Sequence, residues 1–553
     1  MSTEAPTTDP KSNPTHSSRR RAEHCRPLSR PQKARQTTPM ARFVGDEIGS
    51  AAQHPARSRR CGEAPNAAAF EGLEPAALWE RFALLCRVPR CSGEEGAIRE
   101  AVLAIGAERG LETRQDAIGN VVLCVPAAAG CEGWPTVVLQ GHLDMVCEKS
   151  KASTHDFGCD PIDVERDGDW LLARETTLGA DNGVAVAAAL ALLDDPPAKH
   201  GPLELLFTVD EERGLTGASQ IGAEMLEGRI LLNLDSEEEG FVTVGCAGGG
   251  DTEIVLPLGR APLPPRYVVR KLVVEGAVGG HSGVDVHQNR ANALRCLGRA
   301  ADTLAAACGG LRLAAVEGGS KRNAIPREAT ALVAFPEAEV GVAEDVCAKV
   351  TAALAEEFRA SDPALGVRLE EATAAELYSE ATTEKVLALL TAVPTGVLAM
   401  NRELPDVVET STNLGVVGEV EGGEALSVLS CTRSSIGPAL EGVRQGLTAL
   451  GRALGARVNA DAAYPGWAPD LSSRLLALFK QVHEVETGKP PEVMVIHAGL
   501  ECGILGERFP GMEMISIGPT MLGVHAPGER LSISSTRRFY ALLKALLEAL
   551  CPL

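Results

Sequence analysis

Five short segments each carry a metal-binding side chain at or just past an apolar run: His142 in VVLQGHLDMV, Asp181 in TTLGADNGVA, Glu212 in LLFTVDEERG, Asp235 in LLNLDSEEEG and His525 in GPTMLGVHAP. Groups so far apart in the chain meet if the apolar runs become strands of one open α/β sheet, because such sheets gather binding sites at their carboxyl ends. His142, Glu212 and Asp235 directly follow strand-like runs. Asp181 precedes an Ala-rich helical run, where the exposed amides of a helix start favour a carboxylate. Taken alone, it reads as an ordinary cap. Two imidazoles and three carboxylates suit a pair of zinc-like ions sharing one bridging carboxylate. Water activated between two metals implies a hydrolase.

At 553 residues the chain exceeds what one core usually supports, which predicts two domains plus extensions. Strand-like runs at 121–125, 136–139, 203–208 and 230–234 are interspersed with helical runs at 95–109 and 183–193. That pattern predicts an α/β fold with a mixed sheet flanked by helices. From about residue 250 the texture changes. Strand-like 267–274 and 330–335 alternate with amphipathic 291–307 and 342–358, as in an inserted α/β lid domain. Tyr464-Pro465-Gly466-Trp467 reads as the return link, after which a helix at 472–486 and a strand at 512–517 rejoin the first domain. The expected organisation is a disordered basic extension over 1–65, a discontinuous catalytic domain over 66–250 and 461–553, and a lid over 251–460.

The net charge is −21, although the first 60 residues hold 12 Lys/Arg against 5 Asp/Glu. A body that acidic is a poor polyanion binder, so nucleic acid is not an expected partner. The longest apolar run, 184–193, is too short to span a bilayer, so no membrane partner is expected either. The 15 cysteines lack any CxxC pair and read as reduced thiols, which predicts a cytoplasmic protein. No apolar core follows Arg19-Arg20-Arg21, which excludes a secretory signal. An Arg-rich organellar import segment and an over-extended start, with Met40 as the true one, are the alternatives for this region.

In His142-Leu143-Asp144 the two polar residues share one strand face, so Asp144 can take the free ring N–H of His142 and fix its tautomer. Asp210-Glu211-Glu212 follows the strand at 203–208; Glu212 is assigned to the metal and Glu211 to general acid/base work. A solvated turn is the competing explanation for that acidic run.

These motifs resemble the M20 family of co-catalytic zinc peptidases, and within it the aminoacyl-histidine (peptidase D, carnosine-type) dipeptidase branch. The resemblance runs from about residue 73 to the C-terminus. It rests on QGHLDMVCEK, TTLGADNGVAVA, FTVDEERGLTGA, LNLDSEEEG, GGHSGVDVH, YPGWAPD and HAGLECG. It implies that His142, Asp181, Glu212, Asp235 and His525 hold two divalent ions, with Asp181 as the bridge and its bond to Asn182 cis. Zinc is the expected metal, with cobalt and manganese as alternatives, since nitrogen and oxygen ligands accept several ions. It further implies that Asp144 orients His142, that Glu211 is the base and that His281, preceded by two glycines, stabilises the oxyanion from the lid. Arg433 would clamp the substrate carboxylate, and Asn323 and Gly499 would make further substrate contacts.

The expected function is hydrolysis of dipeptides, broad in specificity and including Xaa-His. The alternatives are an N-acyl amino acid deacylase of the same family, a tripeptidase, and a non-catalytic peptide-binding relative. A small peptide is the expected partner, with a homodimer through the lid as the competing arrangement to a self-contained chain.

Overall fold

A computed structural model describes residues 66–550. The expectations for residues 1–65 lie outside the described residues.

The first sheet has eight strands in the order Glu112–Gln115, Val121–Val125, Leu203–Thr208, Val137–His142, Ile230–Asn233, Glu513–Ser516, Phe241–Cys246 and Glu492–Ile496. Its centre is parallel: Val137–His142 pairs in parallel with both Leu203–Thr208 and Ile230–Asn233, and the latter pairs in parallel with Glu513–Ser516. Outer strands add antiparallel pairs, giving the mixed sheet expected. Alternate residues feed two cores, as the two-residue period of a strand requires. Leu139, Leu205 and Leu232 face one core, and Val138, Leu206 and Leu231 the other. The central strands are buried on both faces, which is why they read as continuous apolar runs.

The first core is filled by helices Ala76–Leu85, Gly96–Glu108, Ala180–Ala191 and Ile533–Ala549. Ala180–Ala191 is buried along nearly its whole length, because its small alanines let it lie close against Val137–His142. Gly141 completes that approach. A Cβ there would run into Asn182 Oδ1 and stand 2.9 Å from Ala185 Cβ.

Between strands Phe241–Cys246 and Glu492–Ile496 the chain builds a second, nine-stranded sheet from segments between Gly248 and Ala460. All its pairings are antiparallel. Helices Ala293–Ala307, Val340–Glu357, Glu380–Ala392 and Gly437–Ala453 pack with it around a separate core. The chain is thus an α/β protein with a first, mixed-sheet part and an inserted lid. The chain leaves and re-enters the first sheet side by side, where Gly249 bridges Tyr464 and Cys246 bridges Trp467.

One sequence expectation is overturned here. Cys91 and Cys147 are joined in a disulfide, with Cα atoms 5.7 Å apart, while the other described cysteines are free. The pair is 56 residues apart, and the strand bridge from Cys91 to Met145 that aligns them leaves no trace in cysteine spacing.

Candidate metal centre and substrate cavity

His142 is the last residue of its strand, at the carboxyl end of the central sheet. Its ring Nε2 lies 3.1 Å from Asp181 Oδ1 and 3.6 Å from Asp235 Oδ1. His525 Nε2 lies 2.9 Å from the other oxygen of Asp181 and 3.0 Å from Glu212 Oε2. Asp181 therefore stands between two imidazoles, one on each carboxylate oxygen, with Asp235 beside one and Glu212 beside the other. The Asp181–Asn182 peptide is cis.

The residues around this quintet hold it by main-chain hydrogen bonds. The buried Asp144 carboxylate accepts from the N–H of Glu211 (3.0 Å) and Glu212 (3.2 Å), tying the acidic turn to the His142 strand. His142 Nδ1 sits 3.1 Å from the Asp144 carbonyl oxygen and 3.4 Å from its Oδ1, so the ring is oriented by main chain and side chain of the same residue. Asn182 accepts from the N–H of His142 and donates to the Leu234 carbonyl, stitching together the segments of His142, Asp181 and Asp235. Arg90, 2% exposed, donates to the carbonyls of Leu143, Asp144 and Gly179. Asp181 is not the helix cap that its position suggested. Both its oxygens face histidines, and the amides at that helix start are taken by Glu529.

The electrostatics fit a cation site. His525 is pushed up to about 11 by its hydrogen bonds to Asp181 and Glu212. Burial opposes a charged His142, yet Asp235, Asp144 and Asp181 hold it well above the ordinary histidine value. Asp235 rises to about 7 through burial and the fields of Asp181 and Glu212, against the pull of His142. Asp181 goes the other way: despite burial, its bonds to both histidines keep it below the usual carboxylate range. Such a cluster draws positive charge in, and divalent ions meet that demand with the donors zinc prefers. Glu212 Oε1 is buried with no hydrogen-bond partner among the described residues, and His142, Asp181 and Glu212 can each offer an atom within 4.8 Å of the others.

The quintet opens into a cavity of about 690 Å³. Glu211 lines it beside the ligand cluster, and burial, with the fields of Asp235, Glu501 and Glu212, pushes its carboxyl well above the ordinary glutamate value. His281 of the lid lines the same cavity. Its Nδ1 accepts from the N–H of Gly283 (3.2 Å) and Val284 (3.0 Å). Two donors on Nδ1 put the proton of the neutral ring on Nε2, leaving that N–H to act as a donor. Burial and the positive field of Arg433 hold His281 below its usual pKa, in keeping with a neutral ring.

Arg433 is 7% exposed, is not among the cavity-lining residues, and donates to Tyr464 Oη at 3.1 Å, while its Nε has no partner among the described residues. Gly499 lines the cavity, and a Cβ there would stand 3.1 Å from the Tyr464 ring. Asn323 stands apart: it is exposed, is not among the cavity-lining residues, and meets the His281 segment through its carbonyl, which accepts from Ser282 N–H.

Two more cavity neighbours had no role in the sequence reading. His497 lines the cavity, feels the charges of Arg433 and His281, and places its Nε2 2.7 Å from Ser411 Oγ. Glu501, wholly buried, accepts from Gln140 Nε2 and Thr208 Oγ1 beneath the ligand cluster, and burial pushes it up to about 7. Its place two residues after Gly499 was the only signal available.

The match to peptidase family M20/M25/M40 covers residues 138–549. The chain belongs to this peptidase family. Over 482 residues this M20 chain is 39% identical to the cytosol non-specific dipeptidase of Escherichia coli (strain K12), covering 86% of this chain and 98% of that one. The crystal structure of an aminoacylhistidine dipeptidase from Vibrio alginolyticus matches with a TM-score of 0.81 at 41% identity, over 87% of this chain and 98% of that one. An aminopeptidase, PepT, from Bacillus cereus shares the fold, with a TM-score of 0.50 at 14% identity over 86% and 99% of the two chains. The M20 chain is accordingly an enzyme, a peptidase of a metal-dependent family, and its acidic groups fit a dinuclear site.

Proposed function

We propose that this M20 peptidase is a cytoplasmic dipeptidase of broad specificity, acting on Xaa-His among other dipeptides, with two zinc ions held by His142, Asp181, Glu212, Asp235 and His525. One observation carries the reading: two imidazoles address the two oxygens of a single buried aspartate, each with a second carboxylate alongside. The names of the Escherichia coli and Vibrio alginolyticus relatives support a dipeptide substrate. Among the described residues no helix is long and apolar enough to cross a membrane.

The ions, when bound, would polarise the scissile carbonyl and lower the pKa of an attacking water toward about 7. Glu211 takes the proton of that water as it attacks and returns it to the departing amine nitrogen. Its raised pKa suits a group that must hold the proton between the two transfers. The Nε2–H of His281 points its partial positive charge at the oxygen that gains charge in the tetrahedral intermediate. Arg433, bonded to Tyr464, whose ring lies against the cavity-lining Gly499, takes the free carboxylate of the substrate.

The test is elemental analysis combined with a substrate panel, before and after chelation. Two ions per chain are expected, with hydrolysis of free dipeptides lost on chelation and restored by zinc. Preference for N-acetyl amino acids over free dipeptides would replace this reading with a deacylase.

A further inference from the structure

We propose that Glu529 is a positioning residue that locks the bridging aspartate and the His525 loop into one unit, and so builds the half of the site formed by Asp181, Glu212 and His525. The inference rests on the dinuclear reading above.

Glu529 is 2% exposed, and its carboxylate accepts four consecutive backbone N–H groups. Oε2 takes those of Leu178 (2.7 Å) and Gly179 (2.9 Å); Oε1 takes those of Ala180 (2.7 Å) and Asp181 (3.3 Å). These amides open the helix Ala180–Ala191, where backbone donors have no partner within the helix and an anion is favoured. The last of the four belongs to the bridging residue itself. The clamp therefore sets the main chain from which the Asp181 carboxylate projects.

Glu529 also anchors the other partner of that carboxylate. His525 and Glu529 share the tip of a hairpin between strands Met521–Leu522 and Arg530–Ser532. The tip is poorly constrained by its sequence: Gly523 and Gly528 adopt φ of +67° and +105°. His525 itself has φ +62°, a left-handed conformation unfavourable for a residue with a Cβ, and its side chain is 49% exposed. Little packing holds this imidazole, and the buried grip of Glu529 on the Asp181 segment supplies the missing constraint from four residues away. The His142 and Asp235 segments have an anchor that Glu529 does not touch: the Asn182 side chain accepts from His142 N–H and donates to the Leu234 carbonyl.

Substitution Glu529→Gln keeps the shape but turns an NH2 group toward amides that need an acceptor. Glu529→Asp keeps the charge but shortens the reach, so that it cannot span all four donors. Zinc titration of the chelated full-length protein, followed by calorimetry, reads the effect without reference to turnover. The unaltered protein should bind two ions. In E529Q one ion should bind within about threefold of its original affinity, and the other about tenfold or more weakly, as befits loss of a group that orients metal ligands. E529D should show a smaller loss of the same ion. His525→Ala should weaken that ion too, and the double variant E529Q/H525A should lose little beyond H525A alone, because both changes act on one unit. Equal loss of both ions, additive losses in the double variant, or unfolding of E529Q and E529D alike in the presence of zinc would assign Glu529 to general stability and overturn the proposal. Binding of a single ion by the unaltered protein would instead remove the dinuclear reading, and the inference with it.

Discussion

In the proposed reading Glu211 serves the bond to be cut and Arg433 the end of the substrate, and each assignment has its own test. Glu211→Gln keeps size and polarity but cannot accept a proton, so kcat should fall by about 10²–10⁴-fold while zinc content stays at the level of the unaltered protein. An E211Q enzyme that turns over normally would remove Glu211 as the base. Arg433→Ala should act on binding. A charge-assisted contact contributes about 1.5–3 kcal/mol, so kcat/KM for a free dipeptide should fall roughly ten- to a hundredfold. The C-terminal amide of the same dipeptide, which lacks the charge that Arg433 would bind, should be affected little. Equal losses on both substrates would show that Arg433 does not read the carboxylate.

At the scale of elements, the site depends on how closely the Ala180–Ala191 helix approaches the central strand. Gly141→Ala would push a methyl into Asn182 Oδ1 and Ala185 Cβ. An overpacked contact of this kind costs about 1–3 kcal/mol. Because Asn182 also holds the His142 amide, thermal unfolding should occur earlier and zinc should bind less tightly in the same variant. Loss of stability with unchanged zinc affinity would separate the packing from the site. The strands that carry His142, Glu212 and Asp235 were legible because buried parallel strands leave continuous apolar runs, with the polar change at their ends marking the carboxyl edge of the sheet. The continuous helix begins at Gly183 as expected; a helical turn at Ala180 precedes it, broken by the non-helical Asp181 and Asn182. Arg90 and Glu529 were not legible at all. Their partners are backbone amides and carbonyls of distant segments, and any sequence supplies those, so no residue pattern marks the contact. The Cys91–Cys147 bond escaped because the bridge that aligns the two cysteines joins segments 56 residues apart and leaves no spacing pattern.

At the scale of the whole molecule, His497 sits on the seam between the two sheets. It follows the strand Glu492–Ile496 of the first, while its partner Ser411 belongs to Val408–Glu419 of the second. Burial and the nearby charge of Arg433 lower its pKa from 6.5 to about 4. The unfolded chain therefore takes up a proton near 6.5 that the folded chain refuses until about 4. The stability this residue provides is complete above the higher value and is lost as acidity increases through that window. In His497→Gln the fall in unfolding temperature between about pH 7 and pH 4.5 should be shallower than in the unaltered protein, measured on both side by side. Identical slopes would place the acid sensitivity elsewhere. A different consequence follows from the strand order. Glu513–Ser516, made long after its neighbours, fills the slot between Ile230–Asn233 and Phe241–Cys246. Until that strand emerges from the ribosome, the nascent sheet has a gap bordered by apolar strands with unpaired edges, a surface prone to aggregate and suited to chaperone capture. Enzyme truncated before residue 513 should accumulate as insoluble chain rather than as a weakened catalyst.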